Sequence, residues 1–303
     1  GRVRARRSMG KGATTQQSRR RRHVEDFAGR SSGNGWRPAG PLAHHWRVME
    51  ILAHRDLGGE GRPPLVLLHG LLGSSRNWLT AGADLAADHH VFALDLRNHG
   101  RSPHTATMSY PEMSDDLLRW LDAQALGPVA LVGHSLGGKL AMLTACRHPA
   151  VIRRLVVVDI APRDYAWPGH RASFAAMNEL DLRDLRSRGE AELRFEGRVP
   201  SLGQRKFLTT NLERRPDGTW FWQINLPVLT AALPELERNP LGAADRYAGP
   251  VRVIAGGRSA YIEPDDHATI RRHFPAAEIV TLPDAGHNPH LEARSEFVAA
   301  VRA

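Results

Sequence analysis

From Met49 onward, short apolar runs alternate with stretches of helical periodicity, and that alternation constrains the fold more than any other feature of the chain. The strand-sized runs are Pro64 to His69, His90 to Asp95, Val129 to Gly133, Arg154 to Asp159, Val251 to Ala255 and Ile279 to Leu282. Between them, Ser75 to Asp88, Met113 to Leu126, Leu136 to Arg147, Asp265 to Phe274 and Leu291 to Val301 read as helices. Strands joined by helices in this way form a doubly wound, mostly parallel α/β sheet. The alternation lapses once, over residues 161–249, where amphipathic helices and the cluster Trp220-Phe221-Trp222 carry no buried-strand run. An insertion of that size between two late strands is expected to be a helical cap over one edge of the sheet. The predicted organisation is therefore a core of residues 49–160 and 250–303 and a cap of residues 161–249. Trp167, Phe174, Phe207, Trp220 and Trp222 are the cap residues expected to supply apolar lining for a substrate.

The net charge of +9 suggests a nucleic-acid binder until it is divided along the chain. Residues 1–48 hold 12 Lys and Arg against only Glu25 and Asp26, which leaves the remaining 255 residues nearly neutral. This first segment has no apolar period with which to offset its ordering entropy, so it reads as a solvated basic extension, or as residues encoded upstream of a natural start at Met49. Its Arg-rich start also resembles a transit peptide. No aromatic interleaving or amphipathic face supports a specific nucleic-acid or membrane partner. No apolar run follows the basic stretch as in a secretory signal, so a cytoplasmic location is expected, with organelle targeting left open. The longest apolar runs, such as Leu65 to Leu68 and Leu155 to Val158, fall far short of the roughly 18–20 residues of a membrane helix. A single cysteine, Cys146, excludes an intramolecular disulfide and a cysteine-based metal cluster, and its place on a helix suggests a core thiol.

The chemistry concentrates in the turns after the strands. Gly133-His134-Ser135-Leu136-Gly137 is a G-x-S-x-G with a strand before it and a helix after it, the context of a nucleophile elbow. Side chains at the two glycines would collide with neighbouring backbone, and Ser135 is the expected nucleophile. A serine hydroxyl needs a base. Among 16 histidines, His287 in Ala285-Gly286-His287 follows the last strand and precedes the final helix, where the base arrives in such a chain order. His290 and His267 are its competitors. His69-Gly70-Leu71-Leu72-Gly73 ends the first long strand, and its glycines allow a backbone N–H to face a developing oxyanion. By position the two donors are the N–H groups of Leu71 and Leu136. His69, His134, Trp167 and Trp222 are the candidate substrate contacts. Asp95, Arg97 and Ser102 are expected to tie the turn after their strand, with Asn98 and His99 able to border the pocket. Lys139, one turn into the helix, is expected to face solvent or bond a loop.

Together, His69-Gly-Leu-Leu-Gly, Asp95-Leu-Arg97-Asn98-His99-Gly100-Arg-Ser102-Pro103, Gly133-His-Ser-Leu-Gly-Gly-Lys139, Val158-Asp159-Ile-Ala-Pro162 and Ala285-Gly-His287 resemble the α/β-hydrolase superfamily. Within it they are most similar to the small bacterial carboxylesterases of the YbfF type and their mitochondrial relatives. The resemblance runs from about Met49 to the C-terminus and does not include the basic extension. It implies an α/β-hydrolase fold and a cap-covered esterase acting on short- to medium-chain acyl esters, with no cofactor and no metal. One departure bears on the acid that orients the histidine. Many such hydrolases carry it after the strand that here ends at Ala255, where this chain has Ser259. The YbfF-type esterases resemble the present arrangement, which implies Asp159 as the acid and Ser259 as an auxiliary group, with Asp265 as the alternative. A carbon–carbon bond hydrolase or other reaction on the same triad, and a ligand receptor on the same scaffold, remain as rival readings. Oligomeric state is not legible in the sequence.

Overall fold

Runs such as Leu65-Val-Leu-Leu68 and Leu155-Val-Val-Val158 lack the polar alternation of a half-exposed strand, and they lie buried on both faces of a single sheet. The computed structural model describes residues 51–303; the basic extension of residues 1–48 lies outside the described residues. The strands are β1 (His54–Asp56), β2 (Pro64–Leu68), β3 (His90–Leu94), β4 (Val129–His134), β5 (Ile152–Val158), β6 (Leu212–Arg214), β7 (Trp220–Trp222), β8 (Val251–Gly256) and β9 (Ala277–Leu282). Seven of them form the main sheet in the order β1-β3-β2-β4-β5-β8-β9. The short edge strand β1 pairs antiparallel to β3, and every other pairing in that sheet is parallel.

The helices are α1 (Leu79–Leu85), α2 (Tyr110–Ala123), α3 (Leu136–Arg147), α4 (Pro168–Glu179), α5 (Arg188–Arg194), α6 (Leu202–Thr209), α7 (Leu226–Glu237), α8 (Asp266–His273), α9 (Pro289–Glu292) and α10 (Arg294–Arg302). Two of the expected helices are interrupted. The segment from Ser75 begins as a 3-10 turn capped by Ser74, and the last helix breaks at Ala293, where an extended φ of −134° separates α9 from α10. One face of the sheet packs Trp78, Leu85, Phe297 and Val301 from that 3-10 turn, α1 and α10. The other packs Leu117, Trp120, Leu140 and Leu143 from α2 and α3. Each such side chain withdrawn from water contributes about 1.5–3 kcal/mol.

The excursion between β5 and β8, the segment read from the sequence as a cap, carries α4 to α7 and closes with the rest of the described residues as one compact unit. It also contains an antiparallel hairpin of β6 and β7, which the sequence reading did not separate from the helices. Three aromatic residues are enough for a strand where a turn, here Pro216 to Gly218, folds the chain back. The cap is fastened to the core through polar groups. Lys139 does not face solvent: it is fully buried, and its Nζ donates to the carbonyls of Glu237 at 2.9 Å and Arg238 at 2.7 Å, at the end of α7. Those carbonyls have no partner inside their own helix, and the helix end favours a cation. Tyr110 adds its hydroxyl to Leu236 O at 2.7 Å. Among the described residues no helix is long and apolar enough to cross a membrane.

Candidate active site

The turn from β4 into α3 has no room for side chains beside Ser135. A Cβ at Gly133 would come within 2.2 Å of Gly137 O, and one at Gly137 within 2.6 Å of Leu68 O. With both positions glycine, the chain folds tightly enough to hold Ser135 at φ 52° and ψ −115°, a strained conformation for a residue with a Cβ. The adjacent strand ends at the same level, since His134 pairs with Val158, and its next residue Asp159 also takes a positive φ, 49°.

His287 reaches this point from the loop between β9 and α9. Its backbone is pinned on both sides: Gly286 N–H and Asn288 N–H donate to the two carboxylate oxygens of Glu292, at 2.8 and 3.1 Å. Its own carbonyl accepts from His134 Nε2 at 2.7 Å. The imidazole Nδ1 lies 2.8 Å from Asp159 Oδ2 and Nε2 lies 3.2 Å from Ser135 Oγ. A carboxylate only accepts, so the proton sits on Nδ1 and leaves Nε2 free to accept from the serine hydroxyl. Asp159 is completely buried, and its oxygens take two further donors, Gly256 N–H at 2.9 Å and Ser259 Oγ at 2.5 Å. Asp265, the alternative acid, is exposed at the start of α8. His290 is buried against Trp78 at 4.4 Å between ring centroids, and His267 lies on α8.

The loop after β2 is braced from beneath by two buried histidines. His69 Nδ1 donates to Gly70 O at 2.8 Å, and its Nε2 accepts from Leu96 N–H at 3.0 Å. His99 Nδ1 donates to Arg97 O at 2.9 Å, and its Nε2 accepts from Leu72 N–H at 3.2 Å. Burial lowers both rings, His99 to about 3, so both stay neutral and can serve as acceptors. Among the described residues the N–H groups of Leu71 and Leu136 donate to no acceptor in the protein. The turn after β3 is tied as expected: Asp95 accepts from Ser75 N–H and Arg101 N–H, Arg97 forks onto Asp116, and Ser102 donates to Asp95 O. Asn98 spans to the cap through Asn225.

Above Ser135 opens a cavity of about 970 Å³, bordered by His134, Ser135, Ser259 and His287 and roofed by Trp167 and Phe207 of the cap. Two of the expected substrate contacts lie elsewhere. His69 is a brace under the loop rather than a wall of the cavity. Trp222 sits on β7, and Trp220 beside it lies 5.9 Å from the guanidinium carbons of Arg188 and Arg214. Phe174 is absorbed in the core. Trp220 and Trp222, on the hairpin, pack partly buried against the same hydrophobic core. Residues that the sequence did not single out border the cavity instead, among them Arg163, Tyr165, His170, Gln204, Arg258 and Tyr261. They belong to loops or helix ends, where no periodicity marks an inward side. Cys146 is half-buried, and burial pushes its thiol up to about 12, which leaves it unreactive.

A family model described as the alpha/beta hydrolase fold matches residues 63–294. The sn-1-specific diacylglycerol lipase ABHD11 of Mus musculus is 38% identical over 258 residues, covering 82% of this chain and 83% of the relative. Esterase YbfF of Escherichia coli (strain K12) is 35% identical over 257 residues, covering 84% of this chain and 97% of the relative. Among solved structures, a marine microorganism esterase matches with a TM-score of 0.80 at 34% identity, over 82% of this chain and 97% of that one.

Proposed function

The chain belongs to the α/β-hydrolase family, as a hydrolase of the esterase and lipase kind, and from that premise we propose that it is a serine carboxylesterase for short- to medium-chain acyl esters. The observation that carries the reading is the unbroken series of hydrogen bonds from Ser135 through His287 to Asp159 at the floor of a cavity. Ser135 Oγ attacks the ester carbonyl carbon while His287 Nε2 takes its proton. The carbonyl oxygen becomes an oxyanion that accepts from the N–H groups of Leu71 and Leu136, neither of which has an acceptor among the described residues. The imidazolium then returns the proton to the departing alkoxide, which leaves as the alcohol. A water molecule repeats the sequence on the acyl-serine and releases the acid. Asp159 fixes the tautomer and stabilises the imidazolium, and Ser259 and Gly256 N–H hold that carboxylate in turn.

The small-molecule partner is accordingly an ester, and the reading calls for no cofactor. Ser135→Ala should lower kcat by roughly 10⁴-fold with the fold intact. A fluorophosphonate should label wild type at Ser135 alone. Initial rates on p-nitrophenyl esters from acetate to palmitate set the acyl range; no turnover of any of them, or labelling at another serine, sinks the proposal.

A further inference from the structure

The two ring nitrogens of His287 are bonded at its edge to Asp159 and Ser135, but the ring also has a neighbour against its face. Tyr261, in the loop between β8 and α8, lies almost parallel to the imidazole, with ring centroids 3.7 Å apart and planes 17° from parallel. Its backbone is fixed at both ends: its N–H donates to Ser259 Oγ at 3.2 Å, and its carbonyl accepts from the Tyr165 hydroxyl at 2.5 Å. Tyr165 also stacks on Tyr261 at 5.6 Å, and Trp167 stacks on Tyr165 at 6.0 Å, so the column runs from the imidazole into the roof of the cavity. We propose that Tyr261 is a positioning residue for His287, its π face holding the imidazole in the plane of Ser135 and Asp159 and favouring the ring in its protonated form.

The physics is differential. Two neutral rings stacked face to face gain little, because their quadrupoles oppose each other, whereas a cation over a π face is attracted. The contact is therefore stronger with the imidazolium that forms during serine attack than with the resting imidazole, and only such differential interactions speed the chemical step. Burial and the Asp159 carboxylate push the Tyr261 phenol up to about 12, so the group against His287 is a neutral ring and not a phenolate. Asp159, at the end of β5, supplies the carboxylate at the edge of the ring. The other titratable groups near it come from three elements: His134 at the end of β4, His170 on α4, and His290 and Glu292 on α9, the Glu292 carboxylate accepting from the N–H groups on either side of His287. Burial lowers the three histidines, His170 to about 4 and His290 to about 3, and so keeps them uncharged at neutral pH.

The proposal rests on His287 acting as the base, and its test keeps the two apart. Tyr261→Phe, which retains the face, should stay within about twofold of wild type, whereas Tyr261→Leu should lower kcat/KM by roughly 3- to 10-fold through kcat rather than KM. In Tyr261→Leu the acidic limb of the kcat/KM profile should move to lower pH by about half a unit, because the protonated ring has lost a stabilising neighbour. Mono-, tri- and pentafluorophenylalanine at position 261 preserve the shape while draining the π face, and the limb should move down stepwise along that series. The same series in a Ser135→Ala background, followed by NMR titration of the His287 imidazole, reads the contact without turnover. A titration that does not move along the fluorinated series overturns the proposal. So does a Tyr261→Phe variant as impaired as Tyr261→Leu. Retained activity in Ser135→Ala alone would instead remove the catalytic reading, while the titration would still report on the stack.

Discussion

Ser135 and Asp159 each follow directly on a central strand, and each turns the chain through a positive φ at the same height in the sheet. Strained positions of this kind cost on the order of 1–3 kcal/mol apiece and persist where neighbouring structure over-determines them. Here the ladder does so, as Ser135 N–H donates to Val158 O at 3.0 Å and Asp159 N–H to Ile254 O at 2.8 Å. The arrangement makes the acid testable against its rival. Asp159→Asn should reduce kcat by roughly 10²–10⁴-fold, Asp265→Asn by far less and Ser259→Ala by an intermediate amount at most. A crippled Asp265→Asn enzyme beside a near-normal Asp159→Asn one would move the acid to the later loop. At this scale the elbow was legible, because its glycines fall in one short motif between a strand and a helix, even though Gly137 is held to glycine by the distant Leu68 carbonyl. Tyr261 was not, because a lone tyrosine in a loop has no pattern, and its partner His287 is 26 positions further on. His69 was misread for a related reason: its place at a strand end said nothing about whether its ring points toward the cavity or under the loop.

The helix that follows Ser135 is buried on every side from Leu136 to Ala145, so a lysine on it has nowhere to reach water. That signal was present in the apolar sequence Leu-Gly-Gly-Lys-Leu-Ala-Met-Leu, since a helix that is apolar all round is a buried one. The consequence is a core-to-cap fastening with its own pH dependence. Burial lowers the Lys139 ammonium from the ordinary 10.5 to about 7. Between those values the unfolded chain holds a proton that the folded chain has released, so this group's contribution to stability rises with pH across that window. Lys139→Met should destabilise the protein by about 1–3 kcal/mol by removing the donor that Glu237 O and Arg238 O share at the end of α7. Urea denaturation at pH 6.5 and pH 9 checks both parts: the gap between wild type and variant should widen at the higher pH, and a gap that narrows contradicts the assignment. Elements with long local patterns, such as β2, β4, β5 and α3, were readable in advance. The hairpin of β6 and β7 was not, because strands of three residues carry too little periodicity to stand out among helices.

In the molecule as a whole, charge is divided unevenly along the chain. An overall +9 describes no surface of the hydrolase, since residues 1–48 account for more than all of it. The core and cap close as one compact unit, so a chain beginning at Met49 should keep its kcat, KM and melting temperature. A fall in any of the three would show that the basic segment supports the body. The family and the sheet were legible because they follow from the whole order of strands and helices, whereas the roof of the cavity depends on how the cap helices pack, which no local pattern fixes. The position of Asp159 also bears on how the protein can change over generations. With the carboxylate bolted to the sheet at the end of β5, the loop residues from Arg258 to Tyr261 border the cavity without having to deliver the charge. Drift at Arg258 or Ala260 can therefore explore new substrates while turnover survives, and a library randomised at those two positions should yield mostly active clones with altered acyl preference. The same freedom does not extend to Asp159, where nearly every replacement should be lost to selection.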